Sequence, residues 1–371
     1  MAKGAYIGVG GVAKKIKKGY IGVGGVAKKI KKAYIGVGGV ARPFWSGGGT
    51  LTYYGTATPL TYGRFDLAAT TVGNYAIFAG GGYFGYDDES GEDYETTTDV
   101  AEAYNASLTR STPPSLGTGR GSLSATTVGN YAIFAGGSLL TSVDAYNESL
   151  TRSFPTRLSV GRLKSGATTV GDYAIFAGGN YGNNGSAVEV YNSSLTKSTA
   201  TALSSGSSSC EATTVGNYAV VCAGSTTTNA YNASLTRSVA SSLSTARDYT
   251  AATTVGNYAL FGGGFISSSG SDVVDAYNAS LTRSTPTALS VKRGFMAATT
   301  IRDYALFGGG VTYGVTETND VDVYDDSLTR SKGTSLSHKS GHNAATTVGN
   351  YALFAGGYNY VTEVVDAYTV V

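Results

Sequence analysis

Residues 51–371 are filled by short apolar or alternating runs of about five residues, separated by Gly-Asn, Gly-Gly and Asn-x-Ser clusters. No long stretch carries the 3.6-residue apolar period of a helix, so the pattern reads as many short strands joined by tight turns. The runs recur. The string A-T-T-V-G-N-Y-A-(I/L)-F-A-G-G or a close variant starts at Ala69, Ala125, Ala167, Ala212, Ala252, Ala298 and Ala345, at intervals of 56, 42, 45, 40, 46 and 47 residues. A second string, Y-N-A-S-L-T-R-S, follows with tyrosines Tyr104, Tyr146, Tyr191, Tyr231, Tyr277 and Tyr324; a seventh, Tyr368, stands near the end.

One unit accommodates four antiparallel strands. In the first copy, residues 68–72 form strand a, Gly73-Asn74 a two-residue hairpin turn, and residues 75–79 strand b, ended by Gly80-Gly81. Glycine accepts the positive φ such a turn needs and asparagine tolerates it. Strand c is expected over residues 100–104 and strand d within 108–116. Seven such units at this period predict an all-β, seven-bladed β-propeller. The seventh copy stops after its strand c, and residues 51–61 look like an orphan strand d, so the N-terminal end of the ring is expected to complete the last blade and remove an exposed sheet edge.

The repeat resembles the kelch family in the glycine doublet after strand b, the strand-c tyrosine, and an arginine five residues before A-T-T-V (Arg64, Arg120, Arg162, Arg247, Arg293). It departs from that family where a tryptophan is usual: Ser111, Ser153, Ser198, Ser238, Ser284 and Ser331 stand there. A leucine three residues earlier (Leu108, Leu150, Leu195, Leu235, Leu281, Leu328) is a candidate to fill the space between blades.

Because strand direction alternates, the a–b and c–d turns share one face of the disc and the b–c and d–a loops the other. The first set is nearly constant; the b–c loops differ in length and residues. A repeat scaffold that diversifies one face recognises partners through it. Candidate contacts there are Tyr83, Phe84, Tyr86 and Tyr94 in the longest b–c loop, with Tyr181, Tyr313, Tyr358 and Tyr360 in others, because tyrosine offers rigid amphipathic surface. Two readings stay open for the five arginines: a cationic ring for an anionic ligand, or structural donors to blade-to-blade carbonyls. The acidic loop 87–99 lacks the EF-hand spacing and reads as solvated rather than as a Ca²⁺ site.

The N-terminal forty residues follow another rule. Tyr6, Tyr20 and Tyr34 head a 14-residue repeat, Y-I-G-V-G-G-V-A-K-K-I-K-K. Five-residue strands with Gly-Gly and Lys-Lys turns predict a β-meander, with Ile7, Val9, Ile21 and Val23 on one face and Tyr6 and Tyr20 on the other. Together with Tyr34, Ile35 and Val37 these are the candidate assembly residues. Strands this short need a partner for stability. Residues 1–42 hold ten Lys or Arg and no acid, so the remainder carries a net charge of −8 although the whole chain is +2. A basic segment on an acidic body implies two parts with different partners. This repeat resembles segments of tail-associated structural proteins of phages and prophages, which implies a virion component anchored by its N-terminus.

The expected organisation is thus residues 1–43 as a basic β-repeat, 44–50 as a linker and 51–371 as the propeller. The expected role is non-enzymatic binding or adhesion by a phage tail- or fibre-associated protein. Its partners would be a host-surface glycan or protein, other virion proteins, and possible copies of itself. An intracellular kelch-type scaffold is the alternative reading, with cytoplasmic location; a kelch-type oxidase or glycan-active enzyme ranks behind both. No nucleophile motif, phosphate-binding loop or paired-carboxylate signature occurs, and no cofactor or metal is expected. His338 and His342 are four residues apart in a d–a loop, a weak metal signal. Nucleic-acid binding is disfavoured because no such fold is present. There is no signal-peptide pattern, and no run of 18 apolar residues that would insert in a membrane. Cys210 and Cys222 fall on opposite faces of neighbouring strands, which disfavours a bridge between them.

Overall fold

In a computed structural model, the described residues are 49–371 apart from 88–91, 180–184, 208, 315 and 359–361, together with the backbone of six strands between residues 6 and 46; residues 86, 87 and 92–94 are described by backbone alone. The chain divides into two compact units, residues 1–51 with 370–371, and residues 52–369.

Seven four-stranded antiparallel sheets form the larger part, each ordered a-b-c-d. Blade 1 consists of Ala68–Val72, Tyr75–Ala79, Ala101–Asn105 and Arg110–Ser111. Strands a and b lie where the sequence puts them; strand c starts one residue later. Strand d contracts to two or three residues in blades 1–6. In the first copy Pro113 and Pro114 follow it, and proline has no N–H for a further rung.

The seam forms as expected. In blade 7, Ala344–Val348, Tyr351–Ala355 and Val365–Val370 are joined by Leu51–Thr56 as the outermost strand. Ala57 N–H donates to the carbonyl of Val365 (2.8 Å) and Leu60 N–H to that of Glu363 (2.7 Å). The adjoining core unites Leu353, Val365 and Ala367 of blade 7 with Phe78, Tyr104 and Leu108 of blade 1, so the circle is closed.

Apolar side chains of each blade are buried against the next. Ile77, Ala79 and Ala103 of blade 1 meet Phe134, Tyr146 and Leu150 of blade 2, and the same arrangement recurs around the ring. The repeated leucines do fill these junctions, each held at a φ of 58–63° by the c–d turn. Ser111, Ser153, Ser238 and Ser284 at the family's tryptophan position bond back to strand c, Ser111 Oγ to the Ala103 carbonyl at 3.3 Å. The A-T-T-V threonines link strands a around the axis. Thr70 and Thr127 share a hydrogen bond (2.9 Å), Thr168 and Thr214 another (2.8 Å), and Thr71 and Thr346 one across the seam (2.9 Å). Cys210 and Cys222 are free thiols in different inter-blade cores, on either side of blade 4.

The one a–b turn that departs from glycine also has a reason. Elsewhere the turn glycine abuts the next blade's c–d turn, Gly73 meeting Glu148 for example. Blade 7 has no c–d turn. In the blade 6 turn that faces it, Arg302 replaces glycine at a φ of 51° and donates to Asn350 Oδ1 of blade 7 (2.5 Å).

The five repeat arginines are architectural. Arg64, Arg120, Arg162, Arg247 and Arg293 are 0–3 % exposed. Each donates at 2.6–2.9 Å to a buried strand-c carboxylate of its own blade: Glu102, Asp144, Glu189, Asp275 and Asp322 respectively. Four of them also donate to a strand-b carbonyl, such as Phe78 from Arg64 (3.4 Å) and Phe134 from Arg120 (3.3 Å), while Arg162 bonds the carbonyls of Gly178 and Ala187 beyond strand b. A cationic ring for an anion is therefore not formed, because every charge is enclosed and neutralised. A second base from strand d lies on the far side of the same carboxylate, as Arg283 does at Asp275 (2.9 Å). Burial raises the Glu189 carboxyl, but bonds from Arg162, the Ser159 N–H and Lys197 outweigh it and hold it below the ordinary range. Blade 4 is the internal control. It has Ser207 in place of the arginine, and its acid is correspondingly the neutral Asn229. In blade 7, where Ser340 replaces the arginine, the hydroxyl of Tyr53 from the closing strand donates to Asp366 instead (2.7 Å).

In the N-terminal unit three two-stranded hairpins form: Tyr6–Val9 with Val12–Lys15, Gly19–Val23 with Val26–Ile30, and Lys32–Val37 with Val40–Ser46. The Val9↔Val12 and Val23↔Val26 registers confirm a two-residue Gly-Gly connection. Among the described residues no ladder joins one hairpin to the next, so the expected meander is a row of separate hairpins. The second strands of the first two hairpins carry consecutive lysines, which resist further edge pairing. Strand Val40–Ser46 runs through the start of the expected linker.

Two outcomes follow. Deleting residues 50–62 lowers the melting temperature by about 10 °C or more, measured by calorimetry; an unchanged value contradicts the seam. Arg247→Ser alone costs about 3–5 kcal/mol in denaturant unfolding, because it strands a buried carboxylate. Adding Asp275→Asn, which recreates the blade 4 pair, recovers much of that loss.

Candidate functional site

With the arginines enclosed, the loops that reach the axis are the d–a loops, two residues beyond each arginine position. The position three before A-T-T-V is occupied, blade by blade, by Asp66, Ser122, Lys164, Ser209, Tyr249, Phe295 and His342. Six of these take a φ of 52–57°, a left-handed conformation seldom adopted by residues with a Cβ. A circle of hydrogen bonds holds it. The N–H of Asp66 donates to the carbonyl of His342 (2.8 Å), that of Ser122 to Asp66 (2.8 Å), and that of Lys164 to Ser122 (2.9 Å). Phe295 N–H donates to Tyr249 (3.2 Å) and His342 N–H to Phe295 (2.9 Å). At blade 4 the pattern shifts: Cys210 N–H serves Lys164 (3.0 Å), and Tyr249 N–H reaches Ser209 Oγ (3.4 Å). The strain at each residue is thus borne by a bond to its neighbour, and the seven side chains converge on one point.

They engage each other across that point. Asp66 receives Ser122 Oγ (2.7 Å), Lys164 Nζ (3.1 Å) and a contact with His342 Nδ1 (2.8 Å). Lys164 Nζ also lies 4.5 Å from the ring centre of Phe295 and 5.2 Å from that of Tyr249, within cation–π range. Tyr249 stacks on Phe295 (4.1 Å) and Phe295 on His342 (4.0 Å). Burial alone would raise the Asp66 carboxyl, but His342, Lys164 and Ser122 hold it well below the usual carboxylate range.

The result is an open depression of about 210 Å³ at the axis. Hydroxyls of Ser122, Ser124, Ser165 and Ser209 line it beside the charged and aromatic groups. Glu211 also lines it; burial pushes its carboxyl up to about 8, with Lys164 as the opposing influence.

Loop aromatics surround this mouth. The longest b–c loop folds as a hairpin, Gly82–Asp87 with Glu92–Thr97. Phe84, 40 % exposed, and Tyr358 pack with Phe65, and Tyr358 contacts His342 (5.5 Å), which joins the b–c crown to the axial ring. Tyr83 is half-buried against Tyr62 (5.3 Å). Tyr313 is 74 % exposed, and Leu139 and Ile266 add exposed apolar surface on other b–c loops. In the backbone ladder of the hairpin Tyr86 pairs with Asp93 and Tyr94 with Gly85; Tyr181 and Tyr360 lie outside the described residues. The assembly candidates Tyr6, Ile7, Val9, Tyr20, Ile21, Val23, Tyr34, Ile35 and Val37 all fall on hairpin strands. His342 is in the ring, whereas His338 bonds Ser337.

Sequence reasoning singled out the repeated arginines and passed over the ring. Nothing in the string marked that column, because its neighbours vary as well: the next position alone runs Leu67, Leu123, Ser165, Cys210, Thr250, Met296 and Asn343.

No family model matches the chain, and no curated protein matches it. A solved structure titled "Structure of YjhT" is similar with a TM-score of 0.52, over 85 % of this chain and 96 % of its own, at 10 % identity. At that identity the likeness is one of fold, and the fold it agrees with is the seven-bladed propeller.

Proposed function

We propose that this chain is a non-enzymatic recognition protein that binds a carbohydrate at the axial mouth, with the b–c crown as its rim. The observation that carries the reading is the ring itself. Strands a and b and the c–d turn are nearly constant around the disc, while the position that converges on the axis changes from blade to blade. Serine hydroxyls, two carboxyl groups, an ammonium and aromatic rims within about 210 Å³ suit a small polyhydroxylated group. The ionisable side chains of the ring, Asp66, Lys164 and His342, are bonded to one another, which favours holding a ligand over turning one over.

The setting we propose is a phage virion, in the tail or fibre, with the ligand a host-surface glycan. The N-terminal repeat supports it: consecutive lysines on paired hairpins provide an attraction for an acidic surface of another virion protein or of a second copy. The exposed Leu139, Ile266 and Tyr313 suit a protein partner instead, and the same experiment separates the two.

An array of bacterial surface polysaccharides should show binding. Lys164→Ser or Tyr249→Ser, each installing the residue that blades 2 and 4 already carry there, should weaken it at least tenfold with melting unchanged. An array blank for every bacterial polysaccharide removes the glycan reading and favours a protein partner. Deleting residues 1–43 should leave glycan binding intact and abolish oligomerisation or particle incorporation, read by light scattering and by virion composition; unchanged assembly removes the anchoring role.

A further inference from the structure

The first residue of strand a points to something more specific. In six blades it is small: Ala68, Ser124, Gly166, Ala251, Ala297 and Ala344. In blade 4 it is Glu211, which lines the axial depression. The fold does not require a carboxylate there, since six blades are built without one. Nor is it part of the internal neutralisation. Every other carboxylate at the mouth or on strands c of blades 1–3, 5 and 6 has a base beside it, whereas among the described residues no hydrogen bond or ion pair holds that of Glu211. Asp66 and Glu211 are the acids of the lining. Lys164 and His342 both sit against Asp66, at 3.1 and 2.8 Å, so the Glu211 carboxyl keeps no direct partner of its own.

We propose that Glu211 is the specificity-determining contact of the mouth and selects a sugar bearing a free primary amine, such as a 2-amino-2-deoxyhexose, over its N-acetylated and neutral counterparts. This rests on the carbohydrate reading above. An ammonium group gives Glu211 the direct partner it lacks and offers three donors, which the Glu211 carboxylate and the neighbouring serine hydroxyls accept. An N-acetyl group supplies no charge, and a hydroxyl in its place forms a neutral bond of about half the strength. The ionisation state of the empty mouth gives a signature. Its burial-raised carboxyl is protonated near pH 6, so an incoming amine that is already charged drives it to ionise and its proton passes to the buffer.

The test is titration calorimetry on the full chain at about pH 6, in two buffers of different ionisation enthalpy. The probes are oligomers of glucosamine, N-acetylglucosamine and glucose. The expected result is at least tenfold tighter binding of the glucosamine oligomer with release of roughly one proton. Both the preference and the proton release disappear in Glu211→Gln and in Glu211→Ala, the latter being the residue four other blades carry, with melting unchanged. Equal affinity for the three oligomers, absence of proton release, or a preference that survives in both variants overturns the proposal while leaving carbohydrate binding in place. Failure of all three oligomers to bind overturns it as well, and a blank polysaccharide array alongside would take the carbohydrate reading with it.

Discussion

Closure of the ring is the constraint on which the rest depends. A single blade buries its apolar side chains only against its two neighbours, so an open array would expose one face at each end. The strand Leu51–Thr56 prevents this by completing the blade whose other three strands come from the far end of the chain. Its Tyr53 hydroxyl also serves Asp366, which lacks the arginine that most other blades provide. The threonine links and the d–a backbone bonds then run through blade 7 into blade 1, as Thr71 to Thr346 and Asp66 to His342. Cooperation around the whole circle is a consequence of that one strand.

Within this closed frame, repetition and variation mark different things. Residues that repeat within the chain are the ones each blade needs: threonines between strands a, tyrosine and leucine in the junctions, arginine against its carboxylate. The joint change at Ser207 and Asn229 shows the dependence directly, since the charge pair is lost as a pair. The residues that vary are free of that duty. They hold strained left-handed backbone at the axis, and the strain is supported by a hydrogen-bonded circle rather than by side-chain identity, which leaves the side chains available for recognition.

This division explains what was legible beforehand. The period, the a–b hairpins, the seam and the constant and variable faces all follow from local turn chemistry and strand alternation, and these are readable in a string of letters. The N-terminal hairpins were readable as well, but not their failure to pair onward, which depends on lysines at the edges. The arginines were ambiguous because their partners, Glu102 and its equivalents, lie 24–38 residues away and meet them only through the blade. The axial ring was invisible for a similar reason. Lys164 and Asp66 are brought together by the curvature of the whole disc, and no local pattern links them. Glu211 differs from its small counterparts in the string itself, but its place in the lining without a direct partner depends on the folded disc.

Hydrogen exchange at the central strands b reports most directly on the claim that the seven blades form one closed cooperative ring. The account predicts that the amides of Ile77 in blade 1 and Leu353 in blade 7 exchange as slowly as those of Ile175 and Leu260 in the middle of the chain, all at the rate of global unfolding. Exchange at the two seam blades that is orders of magnitude faster than in the middle blades would contradict it.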